Sequence, residues 1–256
     1  MLRFSRQFIF ASLFALIITG CSTGAKIISV KTSYIQFSEA TTPEEDTVAA
    51  KLIEPYRRKM QTEMNAVLAR CEQTMFKNEP EGELGNFIAD LILAKANQYC
   101  RENKLPEPDI CLLNNGGLRT TLPKGDIIKK RIYELMPFEN EIVVLTLSGQ
   151  NTKALFDFIA RINGMPLAGA RMGIKNGKSV DITINGKPLD INKQYRVATS
   201  DYLAKGGDKM QFFLNPVNTE NLGHKLRDAI LEFITEEGEK GNPIKGQLDG
   251  RIHIIE

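Results

Sequence analysis

Two glycine-bearing loops, with one aromatic residue between them, carry the side chains best suited to holding a small planar ligand. The first loop reads Asn114-Asn115-Gly116-Gly117-Leu118-Arg119. Adjacent glycines let main-chain N–H groups come close to a bound group, and the planar arginine fork suits carboxylate, phosphate or ribose oxygens. The spacing fits neither a dinucleotide fingerprint nor a Walker loop, so taken alone it reads more simply as a strand-to-helix turn. The second loop reads Asp201-Tyr202-Leu203-Ala204-Lys205-Gly206-Gly207-Asp208. A ring six residues before an aspartate, with paired glycines between, suits stacking on a planar ligand whose hydroxyls or base the carboxylate accepts. The plain alternative is a tight turn with a solvent-facing aspartate. Phe138, in Pro137-Phe138-Glu139-Asn140, is either core filler or the second face of an aromatic clamp. Base stacking of that kind contributes about 1–3 kcal/mol per base in single-strand binding proteins.

Other chemistries find little support. No acidic cluster has metal-ligand spacing. The 256 residues include two histidines, His224 in a helix-like stretch and His253 near the end, neither beside an evident partner. A binuclear metallohydrolase normally uses three or more histidines, so the composition disfavours a self-contained metalloenzyme. Cys71, Cys100 and Cys111 match no CxxC pattern and read as buried thiols, with one disulfide among them as the alternative.

The elements that must position these loops follow from periodicity. Lys26–Phe37 is strand-like, and Thr42-Pro43-Glu44-Glu45 starts a helix that Pro55 must kink or divide. Met64–Met75 reads as strand. Leu84, Phe87, Ile88, Leu91, Ile92, Ala96 and Tyr99 form one stripe of a helix over Glu83–Glu102. A buried strand over Asp109–Leu113 feeds the first loop, Ile127–Met136 reads as helix, and the strand Ile142–Leu147 leads through Ser148-Gly149 into a helix over Asn151–Ile162. Asn176-Gly177 and Asn185-Gly186 are hairpin turns joining an antiparallel meander around Arg171, Val180–Ile184 and Lys187–Leu189. Tyr195–Thr199 is a strand before the loop Ser200–Asp208, Asn221–Glu236 a helix, and Arg251–Ile255 an edge or terminal strand. The class is α+β (mixed α/β): a single domain whose mixed or antiparallel sheet and β-hairpins are flanked by helices.

The chain begins MLRFSRQFIFASLFALIITG, two arginines ahead of an apolar run too short for a comfortable membrane span. Ile18-Thr19-Gly20-Cys21 resembles the bacterial lipobox, whose cysteine is acylated; the alternative is an ordinary secretory signal with an incidental cysteine. Removal of residues 1–20 takes Arg3 and Arg6 with it, leaving 31 basic against 31 acidic residues in place of the full chain's +2. No basic face for nucleic acid is implied.

The ordered set Leu84-Gly85-Asn86-Phe87-Ile88-Ala89-Asp90, Asn114–Arg119, Pro137-Phe138-Glu139-Asn140 with Ser148-Gly149, Tyr195-Arg196-Val197-Ala198-Thr199 and Tyr202–Asp208 resembles the C-terminal, substrate-binding domain of the 5′-nucleotidase family. The match runs from about residue 45 to the end. The resemblance implies a nucleoside site with the base between Phe138 and Tyr202. It implies Asn114 on the base, Arg119 toward ribose or phosphate and Asp208 on the ribose hydroxyls, with Gly116, Gly117, Gly206 and Gly207 shaping the two loops. Catalytic residues and metal ligands are expected to be absent from this chain. In the family a separate N-terminal metallophosphoesterase domain holds two metal ions, and its DxH, GNHE and GHxH-type elements do not occur here. The chain departs from the pattern in four places. Asn78, beside Lys77, stands where an arginine is common; Asn115 replaces a glycine; Tyr202 replaces the usual phenylalanine and adds a polar edge; Lys209-Met210 replaces a glycine-aromatic pair.

The expectation is thus a lipoprotein signal over 1–20, a lipidated N-terminus with a leading strand over 21–41, and a nucleotide-binding domain over 42–256. Its function would be the nucleoside- or nucleotide-binding half of a 5′-nucleotidase-type hydrolase. It would work with a separate metallophosphoesterase partner bearing the divalent ions, anchored through Cys21 in the bacterial cell envelope, at the outer membrane. The alternative is a stand-alone nucleoside- or nucleotide-binding lipoprotein.

Overall fold

A computed structural model describes residues 27–34 and 46–256. The signal segment, Cys21 and the helix start expected at Thr42 lie outside the described residues. Residues 27–34 carry no strand, contrary to the expectation; every one is exposed, and apolar alternation that buries nothing does not fix a strand. The first helix, α1, runs Thr47–Met64, its first turn held by the Asp46 carboxylate accepting from the N–H groups of Val48 and Ala49 at 2.9 and 3.1 Å. Pro55 lies inside α1 without dividing it, and none of its residues is buried.

The remaining elements follow in chain order. Strand β1 (Val67–Cys71) precedes α2 (Glu83–Glu102), whose apolar stripe from Leu84 to Cys100 is buried as its spacing requires. Then come β2 (Ile110–Leu112), β3 (Gly125–Ile128), α3 (Lys129–Leu135), β4 (Glu141–Ser148) and α4 (Gly149–Arg161), the last capped by Ser148 Oγ accepting from Asn151 N–H. Strand β5 (Leu167–Ala168) precedes the meander of β6 (Ala170–Lys175), β7 (Lys178–Ile184) and β8 (Lys187–Pro188). The meander's two Asn-Gly turns have positive φ at all four residues, as type I′ geometry demands. The chain closes with β9 (Gln194–Ser200), the short helix α5 (Asp201–Ala204), β10 (Asn218–Lys225), α6 (Leu226–Glu239) and β11 (Ile252–Ile254).

Strand order in the central sheet is β10-β4-β9-β2-β5, and only β2 with β9 is parallel. Side-chain alternation sorts the interior into two layers. Cys111, Ile142, Val144 and Ala198 face one side with α2, α3 and α6, while Ile110, Leu112, Val143, Leu145 and Val197 face the other with α4 and the second sheet, β11-β6-β7-β8. The fold is the α+β arrangement of mixed and antiparallel sheets flanked by helices that the sequence implies.

Three boundaries differ from expectation. Ile127 and Ile128 belong to β3, which pairs with β1 (Val67 with Ile128), and helix begins only at Lys129. Asn221–Lys225 is strand, not helix: Asn221 lies opposite Val143, so Leu222 and His224 sit on β10. The segment from Ser200 to Asp208 is a turn of helix followed by a 3-10 turn rather than irregular loop, with Ser200 Oγ accepting from Leu203 N–H as its cap. Cys71, Cys100 and Cys111 are free and buried, and burial pushes their thiols above the ordinary range.

Candidate functional site

The two glycine loops issue from neighbouring, parallel strands, β2 and β9, and therefore open at the same end of the central sheet. The segment carrying Phe138 enters β4, which pairs with β9 in the antiparallel sense. Three stretches far apart in sequence thus converge on one hollow of about 330 Å³, formed by Asn114, Gly116, Gly117, Arg119, Phe138, Asn140, Tyr202 and Asp208. That volume lies at the small end of the roughly 300–1,000 Å³ usual for small-molecule sites. A larger hollow of about 550 Å³ over Phe87, Leu91 and Phe233 contains Asp90 and Arg251, but these are already paired to each other.

Phe138 and Tyr202 are 39% and 45% exposed. Large rings this exposed at the mouth of one hollow are not core filler. Between the loops the Asn114 amide donates to Asp208 Oδ2 at 2.5 Å, and the Tyr202 hydroxyl donates to Asp208 Oδ1 at 2.8 Å. Accepting that hydroxyl, the Asp208 carboxylate holds the phenol above its ordinary value near 10, so it stays a neutral donor. Arg119 is exposed, with only a long bond of 3.3 Å from its guanidinium to the Gly116 carbonyl.

The glycines divide by role. Gly116 and Gly117 line the hollow, and a Cβ on Gly117 would stand 2.8 Å from Asn114 Oδ1. Gly206 and Gly207 do not line it; they build the turn behind Tyr202. A Cβ on Gly207 would meet the Tyr202 ring at 2.6 Å, so the ring can lie where it does only over glycine. Lys77 is also committed to the loop: its ammonium donates to the Leu118 carbonyl at 2.7 Å and lies 3.4 Å from that of Asn115. It braces the first loop from behind.

Sequence reasoning missed the groups that hold the Phe138 segment. Arg227, at the start of α6, has its side chain 7% exposed, with its guanidinium 4.5 Å from the centroid of the Tyr133 ring. It donates to the Phe138 carbonyl at 3.4 Å, to that of Met136 at 3.5 Å, and to the Glu139 carboxylate. Asp201 Oδ1 accepts from Glu141 N–H at 3.2 Å, tying the start of the Tyr202 loop to the end of the Phe138 segment. Asn140, inside the quoted motif, also lines the hollow. A polar residue opening an apolar helix, as in Leu226-Arg227-Asp228, was the available signal for Arg227.

Glu139 gives a pH prediction. Hydrogen bonds from Arg227, and then from Lys225, lower its carboxyl from an ordinary 4.5 to about 2. A carboxylate held down in the folded chain contributes stability that is complete above its unfolded value and is lost as pH falls toward the folded one. The Glu139 contribution is therefore present above about pH 4.5 and lost as pH falls through about 2. A side-chain carboxyl NMR titration should show its midpoint near 2, and a midpoint near 4.5 would refute the pairing.

The donor set does not suit a metal pair. Among the described residues no group of three or more His, Cys, Asp or Glu side chains is placed to hold an ion. His224 Nε2 comes within 3.2 Å of Glu232, without hydrogen-bond alignment, and His253 Nδ1 lies 3.2 Å from the Gly250 carbonyl; neither lines the hollow.

A family model described as 5′-nucleotidase, C-terminal domain, matches residues 64–215. The trifunctional nucleotide phosphoesterase protein YfkN of Bacillus subtilis (strain 168) is 29% identical over 194 residues, covering 68% of this chain and 12% of that protein. A 5′-nucleotidase of Vibrio vulnificus (strain CMCP6) is 25% identical over 213 residues, covering 78% of this chain and 35% of that one. The crystal structure of a 5′-nucleotidase precursor from Thermus thermophilus superposes with a TM-score of 0.67 at 24% identity, covering 82% of this chain and 44% of that one. The chain thus spans less than half the length of each of these proteins.

Proposed function

The chain belongs to the 5′-nucleotidase C-terminal-domain family, and from that premise we propose that it is the nucleoside- or nucleotide-binding half of a two-protein 5′-nucleotidase. The observation carrying this reading is the pair of water-exposed rings, Phe138 and Tyr202, at one hollow with Asp208, Asn114 and Arg119. Two rings offer both faces of a base a stacking surface. Asp208 supplies acceptors for sugar hydroxyls, and the exposed Arg119 fork faces a phosphate or the ribose edge. Hydrolysis falls to a separate metallophosphoesterase, whose divalent ions activate water. Cys21 carries the lipid that keeps both proteins at the same bacterial envelope surface, on the outer membrane.

Mixing the purified chain with a candidate metallophosphoesterase, Mn²⁺ or Zn²⁺ and AMP tests the division of labour. Phosphate release should rise above that of the partner alone, and the chain by itself should release none. No gain over the partner alone removes the two-protein reading. A second reading is capture without hydrolysis, for which the two rings and the polar groups at the hollow suffice. It predicts adenosine or AMP binding by calorimetry with no effect on any phosphoesterase.

A further inference from the structure

Tyr202 does more in this geometry than present a ring. Its hydroxyl donates to Asp208 Oδ1 at 2.8 Å and accepts from the Asp208 N–H at 3.3 Å, closing the 202–208 segment on itself. Within that closure and at the residue just after it, Gly206, Asp208 and Lys209 have φ between 52° and 84°. Left-handed backbone is unfavourable for an aspartate followed by a lysine and persists only where other contacts impose it. Phenylalanine at 202 would keep the ring and lose both contacts. We infer that the Tyr202 hydroxyl is a specificity-determining positioning group, which holds the Asp208 carboxylate toward the sugar subsite and thereby sets the site's preference for a ribose diol. The inference rests on the nucleoside-binding reading above.

The electronic arrangement allows it. A carboxylate oxygen accepts two hydrogen bonds, so Oδ1 keeps a free lone pair while holding Tyr202, as Oδ2 does while accepting from Asn114. The carboxylate spans the two loops with one accepting direction left on each oxygen, matching the two adjacent hydroxyls of ribose. Losing the Tyr202 contact frees Asp208 to rotate, and its second accepting direction is no longer aimed.

Calorimetry on the full chain with adenosine and 2′,3′-dideoxyadenosine, comparing wild type with Tyr202→Phe, tests this. Wild type should prefer adenosine by about tenfold or more, the scale of one charge-assisted hydrogen bond. Tyr202→Phe keeps the ring that stacks on the base and should lose most of the preference for adenosine over dideoxyadenosine. A Tyr202→Phe chain that keeps the wild-type preference overturns the inference and leaves the nucleoside site standing. Equal wild-type affinity for the two nucleosides does the same. Binding of neither nucleoside by wild type overturns the nucleoside reading, and this inference with it.

Discussion

Replacing Phe138 and Tyr202 together by alanine is expected to weaken adenosine binding by between about thirtyfold and ten-thousandfold while leaving the fold in place. Each aromatic–base stack is worth about 1–3 kcal/mol, and every 1.4 kcal/mol is tenfold in affinity. The chain should survive the double change because both rings are substantially exposed, so truncation removes little buried apolar area. Tyr202→Ala also releases Asp208, so it should cost more than Phe138→Ala, which removes stacking alone. Calorimetry at increasing protein concentration reads the affinities, and circular dichroism confirms that the variant is folded. A folded double variant with wild-type affinity would show that the base lies elsewhere.

The residues lining the hollow were legible in the sequence because they lie in short motifs with unusual composition. Paired glycines beside an arginine, or between a tyrosine and an aspartate, stand out against any periodic background. The central strands were equally legible: alternation puts Ile110 and Leu112 in one layer and Cys111 in the other, and a hydrophobic run buried on both faces has few other uses. The failures came where one pattern fits two structures. Leu222, Leu226, Ala229, Ile230 and Phe233 suit a single helical face, yet Leu222 belongs to β10, because β4 offers an edge that residues 218–221 can pair with. Ile127 and Ile128 likewise extend the helical stripe of α3 but pair with β1. Tertiary pairing overrides local period in both cases, and no local window contains the partner strand.

The anchoring of Phe138 was illegible for the same reason, and it carries the second large effect. Arg227→Met should lower the melting temperature by roughly 5–10 °C and weaken adenosine binding as well, although Arg227 does not line the hollow. Methionine keeps much of the side-chain volume against Tyr133 but supplies no donor and no charge. The stacked guanidinium contact, largely removed from water, and the donations to the Met136 and Phe138 carbonyls together amount to about 2–3 kcal/mol. Arg227→Lys should rescue little, since one ammonium cannot reproduce a planar fork shared among a ring, two carbonyls and a carboxylate. Loss of affinity through the clamp differs from general loosening by its coupling. If Arg227 acts by holding the Phe138 segment, Arg227→Met and Phe138→Ala should be strongly non-additive, the second change costing little affinity once the first is made. Independent effects would reduce Arg227 to a stability residue. An Arg227→Met chain with wild-type melting temperature and affinity would mean that α6 does not hold the aromatic segment at all.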